Sequence, residues 1–252
     1  MGGATPVLTR ERALALAALG IALLAYGAVS EHLPEFRMGV DVVFVGLVVL
    51  PLTTAAIWLA LPLAGMRSVL LLYASALAGA LLIALTFLGA ASAANVAKLA
   101  CFALVGFWFL SLFEELWWVA LVAVLVPWVD VWSVAAGPSE YVLEKRPGIF
   151  DTVAVDFPVT GQAADINIGP PDIVFFALFL AACARFGLRT AWTWVAMTVL
   201  LTVTLFAAWR WETLGLPALP AVALGFLLPN ADLVARHLRT AWRTRRDAEP
   251  AK

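Results

Sequence analysis

Long runs of hydrophobic residues, separated by short polar connections, occupy most of this 252-residue chain. A membrane-spanning helix requires about 20 consecutive, mainly apolar residues. Eight runs approach or exceed that length, at residues 12–30, 39–63, 67–91, 95–112, 116–136, 166–186, 188–209 and 214–231. The pattern therefore predicts an all-α polytopic membrane protein with about eight transmembrane helices.

Composition agrees with this pattern, because 63% of the residues are hydrophobic and only 13% are charged. The formal net charge is −1, so the chain lacks the strongly basic surface that nucleic-acid binding requires. The two histidines, His32 and His237, lie outside the apolar runs, and the two cysteines, Cys101 and Cys183, lie in separate runs. Neither arrangement has the spacing of a metal site, so no metal or other cofactor is expected.

One long polar connection, Gly137 to Asp165, separates the fifth run from the sixth. Long connections in compact domains usually serve a function. Part of this connection alternates with the period of a β-strand, its apolar positions being Val153, Val155, Phe157 and Val159. Pro158 would restrict such a strand to the edge of a sheet. A short edge strand and an irregular surface loop are equally compatible with the segment.

Basic residues are concentrated on one side of the predicted helices. The connection between the sixth and seventh runs carries Arg185 and Arg189, and the tail carries Arg236, Arg239, Arg243, Arg245, Arg246 and Lys252. Loops rich in Lys and Arg remain cytoplasmic, which predicts a cytoplasmic C-terminus and an outward-facing 137–165 connection. The tail spacing suits either a helix on the membrane surface or a solvated tail. The preference for Arg over Lys suggests a prokaryotic cytoplasmic (inner) membrane.

The fifth and sixth apolar runs each contain one aspartate. Asp130 lies six residues before the end of the fifth run, and Asp172 lies six residues after the start of the sixth. At 1.5 Å per residue, each is predicted to lie about 9 Å below the same membrane face. The eighth run enters at that face with Pro217-Ala218-Leu219-Pro220. An unpaired carboxylate at membrane depth costs at least about 3 kcal/mol, so such residues mark functional sites by default.

A pair of carboxylates at this depth suits one kind of chemistry. Two carboxylates at close range cannot both ionise cheaply, so the pair is expected to share one proton. The ionised member can take a proton from an attacking water, and the protonated member can donate to the carbonyl oxygen of a peptide bond. The aspartates therefore predict peptide hydrolysis without a metal.

Prolines accompany these features. Pro170 and Pro171 precede Asp172, while Pro217 and Pro220 mark the start of the eighth run. Proline lacks a backbone N–H and disfavours helix immediately before itself, so irregular backbone is expected at both helix starts. Such backbone is tolerated at membrane depth where it is buried or lines a water-filled cavity. Prolines are also common at ordinary helix starts, so each one alone carries little weight.

Together these residues resemble the presenilin and signal peptide peptidase family of intramembrane aspartyl proteases. That family carries a Tyr-Asp motif on one helix, a Gly-x-Gly-Asp motif on the next and a Pro-Ala-Leu motif on its last helix. Here Val129-Asp130 stands at the first motif, Gly169-Pro170-Pro171-Asp172 stands at the second, and Pro217-Ala218-Leu219 matches the third in full. The resemblance is specific for residues 116–232, whereas residues 1–115 match only as scaffold helices and residues 233–252 form the basic tail.

The resemblance implies a presenilin-like intramembrane protease fold with eight or nine spans. It also implies that Asp130 and Asp172 are catalytic, and that the active site is shaped by Gly169, Pro170, Pro171, Pro217, Ala218 and Leu219. A strand carrying Val153, Val155 and Phe157 would pair with the substrate. The predicted orientation is similar to that of the signal peptide peptidase branch. It implies transmembrane substrates with a cytoplasmic N-terminus, such as signal peptide remnants or type II helices.

Other functions are compatible with parts of this pattern. Val129 and Pro171 replace the tyrosine and the second glycine of the family motifs, so a pseudoprotease that binds membrane helices without cutting them is an alternative. A proton-coupled transporter also uses intramembrane aspartates and broken helices, but it predicts a symmetry between the two halves that this chain does not show. A prepilin-type aspartyl peptidase shares Gly-x-Gly-Asp but leaves Pro217-Ala218-Leu219 unexplained.

Overall fold

The computed structural model describes residues 8–136, 154–161, 165–211 and 216–248. These residues form eight long helices, numbered in chain order as α1 (Arg10–Val29), α2 (Met38–Gly65), α3 (Ser68–Phe87), α4 (Ala91–Leu110), α5 (Leu116–Ala136), α6 (Pro170–Phe186), α7 (Thr190–Trp211) and α8 (Leu219–Ala248). Seven of them are long and apolar enough to cross a membrane, and α6 has 17 residues. A length of about 17 residues is the lower limit for a spanning helix. The architecture agrees with the predicted all-α polytopic membrane protein, with one helix for each apolar run.

The helix α6 forms the centre of the bundle. Its residues from Phe176 to Cys183 are each at most 1% exposed, and a helix surrounded on every side is expected to be apolar all round. It packs most extensively against α4 and also contacts α2, α7 and α8. The closest approach is at Gly106 of α4, where an added Cβ atom would lie 2.4 Å from the carbonyl oxygen of Val174. Only glycine allows the two helix backbones to approach this closely.

Two short strands, β1 (Val155–Pro158) and β2 (Asp165–Ile168), form an antiparallel pair directly before α6. Their register places Val155 opposite Ile168 and Phe157 opposite Ile166. Of the two alternatives for this segment, the strand is observed at Val155 and Phe157, while Val153 lies outside the residues that the structure describes. Pro158 ends β1 within a sheet that has two strands in the described ranges, which is a position that proline tolerates.

The predicted start of the sixth helix is wrong by four residues. The run was placed at 166–186, but residues 165–168 form β2 and α6 begins at Pro170. The sequence Asp165-Ile166-Asn167-Ile168 alternates polar and apolar residues, which is the period of a strand. Its two isoleucines had been assigned to the helix because they run into the next apolar stretch. Asp172 consequently lies in the first turn of α6 instead of six residues inside it.

The irregular helix starts expected at the prolines are observed only in part. Helix α6 begins at Pro170 itself with Pro171 as its second residue, and proline is favourable there because the first N–H groups of a helix have no intrahelical partner. The backbone just before is extended at Gly169, with φ −63° and ψ 149°. At Pro217 the expected irregular backbone is observed, because residues 216–218 are non-helical and α8 begins at Leu219.

A buried polar network around Asn230 joins α7 to α8 at the end of the bundle away from Pro217 and Pro220. The Asn230 Nδ2 donates to Thr193 Oγ1 at 2.7 Å, and its Oδ1 accepts from the backbone N–H of Arg189 at 2.9 Å. The Arg189 guanidinium also donates two hydrogen bonds to the carboxylate of Asp232. Helix α8 then continues to Ala248, so the tail assigned to residues 233–252 begins as a continuation of α8.

Candidate active site

Asp130 lies on α5, three residues after Pro127, which removes one backbone hydrogen bond from this helix. The two residues before it, Trp128 and Val129, are 74% and 63% exposed and face away from the bundle. Asp130 itself is partly buried. Helix α5 makes most of its contacts with α8, and Asp130 faces the start of that helix.

The start of α8 provides a direct hydrogen bond to this carboxylate. The backbone N–H of Leu219 donates to Asp130 Oδ2 at 3.0 Å. Leu219 is the first residue of α8, and the first N–H groups of a helix require partners from outside the helix. A carboxylate at a helix N-terminus is additionally favoured by the helix dipole. The Pro-Ala-Leu segment and the first aspartate, predicted to lie at one membrane level, are therefore in contact.

Asp172 approaches the same place from α6. It is the third residue of that helix, and its backbone N–H donates to the carbonyl oxygen of Gly169 at 3.1 Å. Helix α6 contacts both α5 and α8, and its Asp172 lies within electrostatic range of Asp130. Because Leu219 contacts Asp130 as well, the three motif segments, on α5, α6 and α8, meet at one site.

The position of this site along the bundle follows from the packing of α7 against α8. Asn230 contacts Thr193, and Gly225 contacts Met197, which together fix an antiparallel register between the two helices. Continued to the start of α8, this register places Leu219 at the level of Val203, about 12 Å before the end of α7 at residue 211. The site therefore lies within the length of the bundle and below its end.

The strand residues predicted to bind substrate are buried in the hydrophobic core, unlike the two aspartates. Val155 and Phe157 are each 2% exposed and belong to the hydrophobic core, where β1 contacts α4. Their side chains are therefore occupied in packing, and pairing with a substrate strand would use the main chain of the sheet. Pro171 is exposed beside Asp172, and Ala218 is partly buried beside Leu219. Val153 lies outside the described residues.

Replacement of Leu219 offers a test of the hydrogen bond to Asp130. The variant Leu219→Pro removes the N–H, while proline remains compatible with the first position of a helix. The matched variant Leu219→Ala keeps the N–H and also loses the leucine side chain. A hydrogen bond to a charged group contributes about 1.5–3 kcal/mol, so any turnover supported by Asp130 should be about 10- to 100-fold lower in Leu219→Pro than in Leu219→Ala. Equal kcat/KM values in the two variants would show that this N–H has no role in turnover.

The sequence reasoning missed a second set of polar residues, in the N-terminal helices. Tyr26, Asp41, Asn95 and Lys98 all form hydrogen bonds with residues 156–160 in and after β1. Asp41 and Lys98 lie inside the second and fourth apolar runs, and an ionisable residue in such a run is itself a signal of a functional or paired group. Neither residue belongs to one of the three motifs, so the motifs alone do not identify this set.

Comparison of the chain with protein-family models, with curated proteins and with solved structures finds no match to any of them.

Proposed function

We propose that this protein is an intramembrane aspartyl protease of the presenilin and signal peptide peptidase type, which hydrolyses peptide bonds within transmembrane segments. The observation that carries the proposal is the meeting of Asp130, Asp172 and the Leu219 N–H at one place inside the bundle. These groups come from three separate helices, and each belongs to one of the three motifs that the family resemblance rests on. The N-terminal residues 1–115 act in this proposal as the scaffold of the site.

The two aspartates would divide the acid and base roles. The Leu219 N–H bonds most strongly to an ionised carboxylate, so we assign the negative charge to Asp130 and the shared proton to Asp172. Asp130 takes a proton from the attacking water as its oxygen bonds to the peptide carbon, and Asp172 donates its proton to the carbonyl oxygen. Asp130 then passes its proton to the amide nitrogen as the C–N bond breaks, and Asp172 recovers a proton from the hydroxyl. The pair titrates as a unit throughout.

The sheet before α6 supports the proposed substrate class. In a helical substrate the backbone N–H and carbonyl groups are hydrogen-bonded to each other within the helix. The segment to be cut must therefore first be extended, so that its peptide bond becomes accessible. An extended segment binds well by adding to an existing strand. The β1–β2 pair ends at Ile168, only four residues before Asp172, which would bring an added strand close to the proposed catalytic pair.

Orientation determines which transmembrane helices can be substrates. The Arg189–Asp232 ion pair joins the α6–α7 connection to α8 at the end of the bundle that carries the basic residues. With that end in the cytoplasm, the β1–β2 pair and the proline-containing helix starts are near the outer face. We therefore propose substrates with a cytoplasmic N-terminus, as in signal peptide remnants and type II helices, in a prokaryotic inner membrane. Reporter fusions should place the C-terminus inside; an external C-terminus would reverse this substrate preference.

The proposal is tested with purified protein in lipid nanodiscs and a labelled transmembrane peptide of type II orientation. Cleavage at one or a few bonds within the apolar segment, identified by mass spectrometry, is the expected result. Pro171 has no N–H to offer beside Asp172, and this difference from the family motif favours the second candidate, a protein that binds membrane helices without cutting them. Saturable peptide binding with no products would support that candidate against the protease.

A further inference from the structure

A set of polar side chains from three N-terminal helices converges on β1 and the turn after it. The set, called here the polar clamp, consists of Tyr26 on α1, Asp41 on α2, and Asn95 and Lys98 on α4. Most of the surrounding side chains in these helices are apolar. Asp41 and Lys98 are buried, and Tyr26 and Asn95 are partly buried. A polar group removed from water in an apolar environment is costly unless it is hydrogen-bonded, so four polar side chains directed at one short segment require an explanation.

Asn95 binds β1 as a neighbouring strand would. Its Nδ2 donates to the carbonyl oxygen of Asp156 at 2.6 Å, and its Oδ1 accepts from the Asp156 backbone N–H at 2.8 Å. Main-chain groups of successive strand residues point to opposite edges, so Val155 and Phe157 direct theirs toward β2. Asn95 therefore occupies the edge of β1 that faces α4, and β2 occupies the other edge.

Lys98 holds the side chain of the same strand residue. Its Nζ lies 2.8 Å from Asp156 Oδ2, and Lys98 is 5% exposed. It lies seven residues after the first residue of α4, about 10 Å along that helix. Asn95 and Lys98 are three residues apart and share one helix face, so α4 contacts both the main chain and the carboxylate of Asp156.

The turn after β1 is held from the other side. The Tyr26 hydroxyl donates to the carbonyl oxygen of Pro158 at 2.6 Å, and the Thr160 hydroxyl donates to Asp41 Oδ1. Gly161 follows at φ +70°, and its N–H donates to the carbonyl oxygen of Ser30 at 2.9 Å. An added Cβ there would lie 2.6 Å from the Glu35 backbone nitrogen, so this turn fits closely against the α1–α2 connection.

We propose that the polar clamp positions the β1–β2 pair against the proposed catalytic aspartates, and thereby sets which bond of a substrate is cut. This inference rests on the proposed function, and the four residues act as positioning residues. A sheet register shifts in steps of two residues if the inward-facing side chains are to stay inward. With β1 fixed on α1, α2 and α4, the sheet that receives the substrate has one position relative to Asp172. If the polar clamp is weakened, the sheet can take up neighbouring positions relative to Asp172, and other bonds of the substrate can be cut.

The first experiment measures the strand without relying on catalysis. Backbone amide exchange across residues 155–168 is followed in nanodiscs for wild type, Tyr26→Phe, Asn95→Ala and Lys98→Met. Exchange is expected to be at least tenfold faster in Asn95→Ala and Lys98→Met, and severalfold faster in Tyr26→Phe. The control is Thr54→Val, which removes a buried 3.0 Å hydrogen bond to Thr198 between α2 and α7 and does not touch the sheet. Unchanged exchange in the three clamp variants would overturn the proposal.

Lys98→Met removes the cation that pairs with the partly buried carboxylate of Asp156, which can prevent folding. The double variant Lys98→Met/Asp156→Asn removes both charges and is expected to restore the yield of folded protein while exchange at 155–168 stays faster than in wild type. Wild-type exchange in the double variant would show that the ion pair does not hold the strand. Tyr26→Phe, which loses one hydroxyl, provides a variant that carries no risk from a buried charge.

The second experiment reads the positions of cleavage. In Asn95→Ala and Tyr26→Phe, cuts are expected at additional bonds on either side of the wild-type bond, whereas Thr54→Val should give the wild-type set. Faster exchange with an unchanged set of cut bonds would show that the clamp only stabilises the fold, and would overturn its positioning role. If the wild type cleaves no peptide at all, the proposed function fails, and the exchange result still decides whether the clamp holds the strand.

Discussion

Asp130→Asn and Asp172→Asn are each expected to lower the rate of peptide cleavage by about a thousandfold or more. Asparagine has nearly the same shape as aspartate but can neither accept the proton of the attacking water nor donate a proton to the carbonyl oxygen. Since the proposed mechanism needs both functions in one cycle, the two single variants and the double variant should be equally inactive. Initial rates with the labelled transmembrane peptide provide the measurement.

The control for this experiment is Asp232→Asn. Asp232 is on α8, is 42% exposed in its side chain and pairs with Arg189 at the other end of the bundle. Exposed ion pairs contribute at most about 1 kcal/mol, so the rate should change less than twofold. The thermal midpoint of neither variant should fall below that of the wild type. Asp130→Asn removes the one costly charge of the pair from the interior, and Asp172→Asn replaces a protonated carboxyl group with a neutral amide of nearly the same shape. Substantial cleavage by a folded Asp130→Asn or Asp172→Asn protein would exclude the two-aspartate mechanism.

Gly106→Ala is expected to be strongly destabilising although it adds a single methyl group. The added Cβ would lie 2.4 Å from the carbonyl oxygen of Val174 and 2.8 Å from the Ala177 Cβ, so α4 and α6 must separate. Overpacking of this kind costs about 1–3 kcal/mol, which lowers the thermal midpoint by several degrees. Because Val174 is two residues after Asp172, we also expect at least a tenfold loss of cleavage from displacement of the start of α6.

The matched substitution is Gly79→Ala on α3. There the nearest atom to an added Cβ is Cys101 Sγ at 3.6 Å, which is an ordinary packing distance. Alanine is favoured over glycine in a helix by up to about 1 kcal/mol, so Gly79→Ala should leave the thermal midpoint unchanged or raise it. Thermal midpoints of both variants in the same detergent test the pair. Equal effects would show that helix propensity, and not the close contact of α4 with α6, governs Gly106.

The helices were predictable because the membrane imposes a simple length rule on apolar runs. Each of the eight runs contains one helix, and the ends of most runs differ from the observed ends by one to four residues. The order of the runs and the spacing of the motifs also predict that Leu219 and Asp130 lie at the same depth in the membrane, although not that they are in contact. Such counting along the chain gives the level of a residue in the bundle, but it does not give the direction of its side chain.

The parts that were not predicted depend on partners distant in the chain. The strand β2 was missed because Ile166 and Ile168 extend an apolar run, and only pairing with β1 shows that the segment is a strand. Val155 and Phe157 were assigned to substrate binding, but their burial depends on α4, which lies about 50 residues earlier. Asn95 could not be linked to Asp156 from sequence, since neither residue belongs to a motif. These features follow from tertiary contacts that no local pattern encodes.

The continuity of α8 has a practical consequence for experiments on so small a membrane protein. From Asn230, where it is fixed to α7, the helix runs on for about 27 Å to Ala248, which carries it beyond the α6–α7 connection. A soluble protein fused in helical phase to that end would be carried as a rigid projection. Such a projection would extend outside the detergent and help to align the particles in electron micrographs. It would lie at the opposite end of α8 from the proposed catalytic residues.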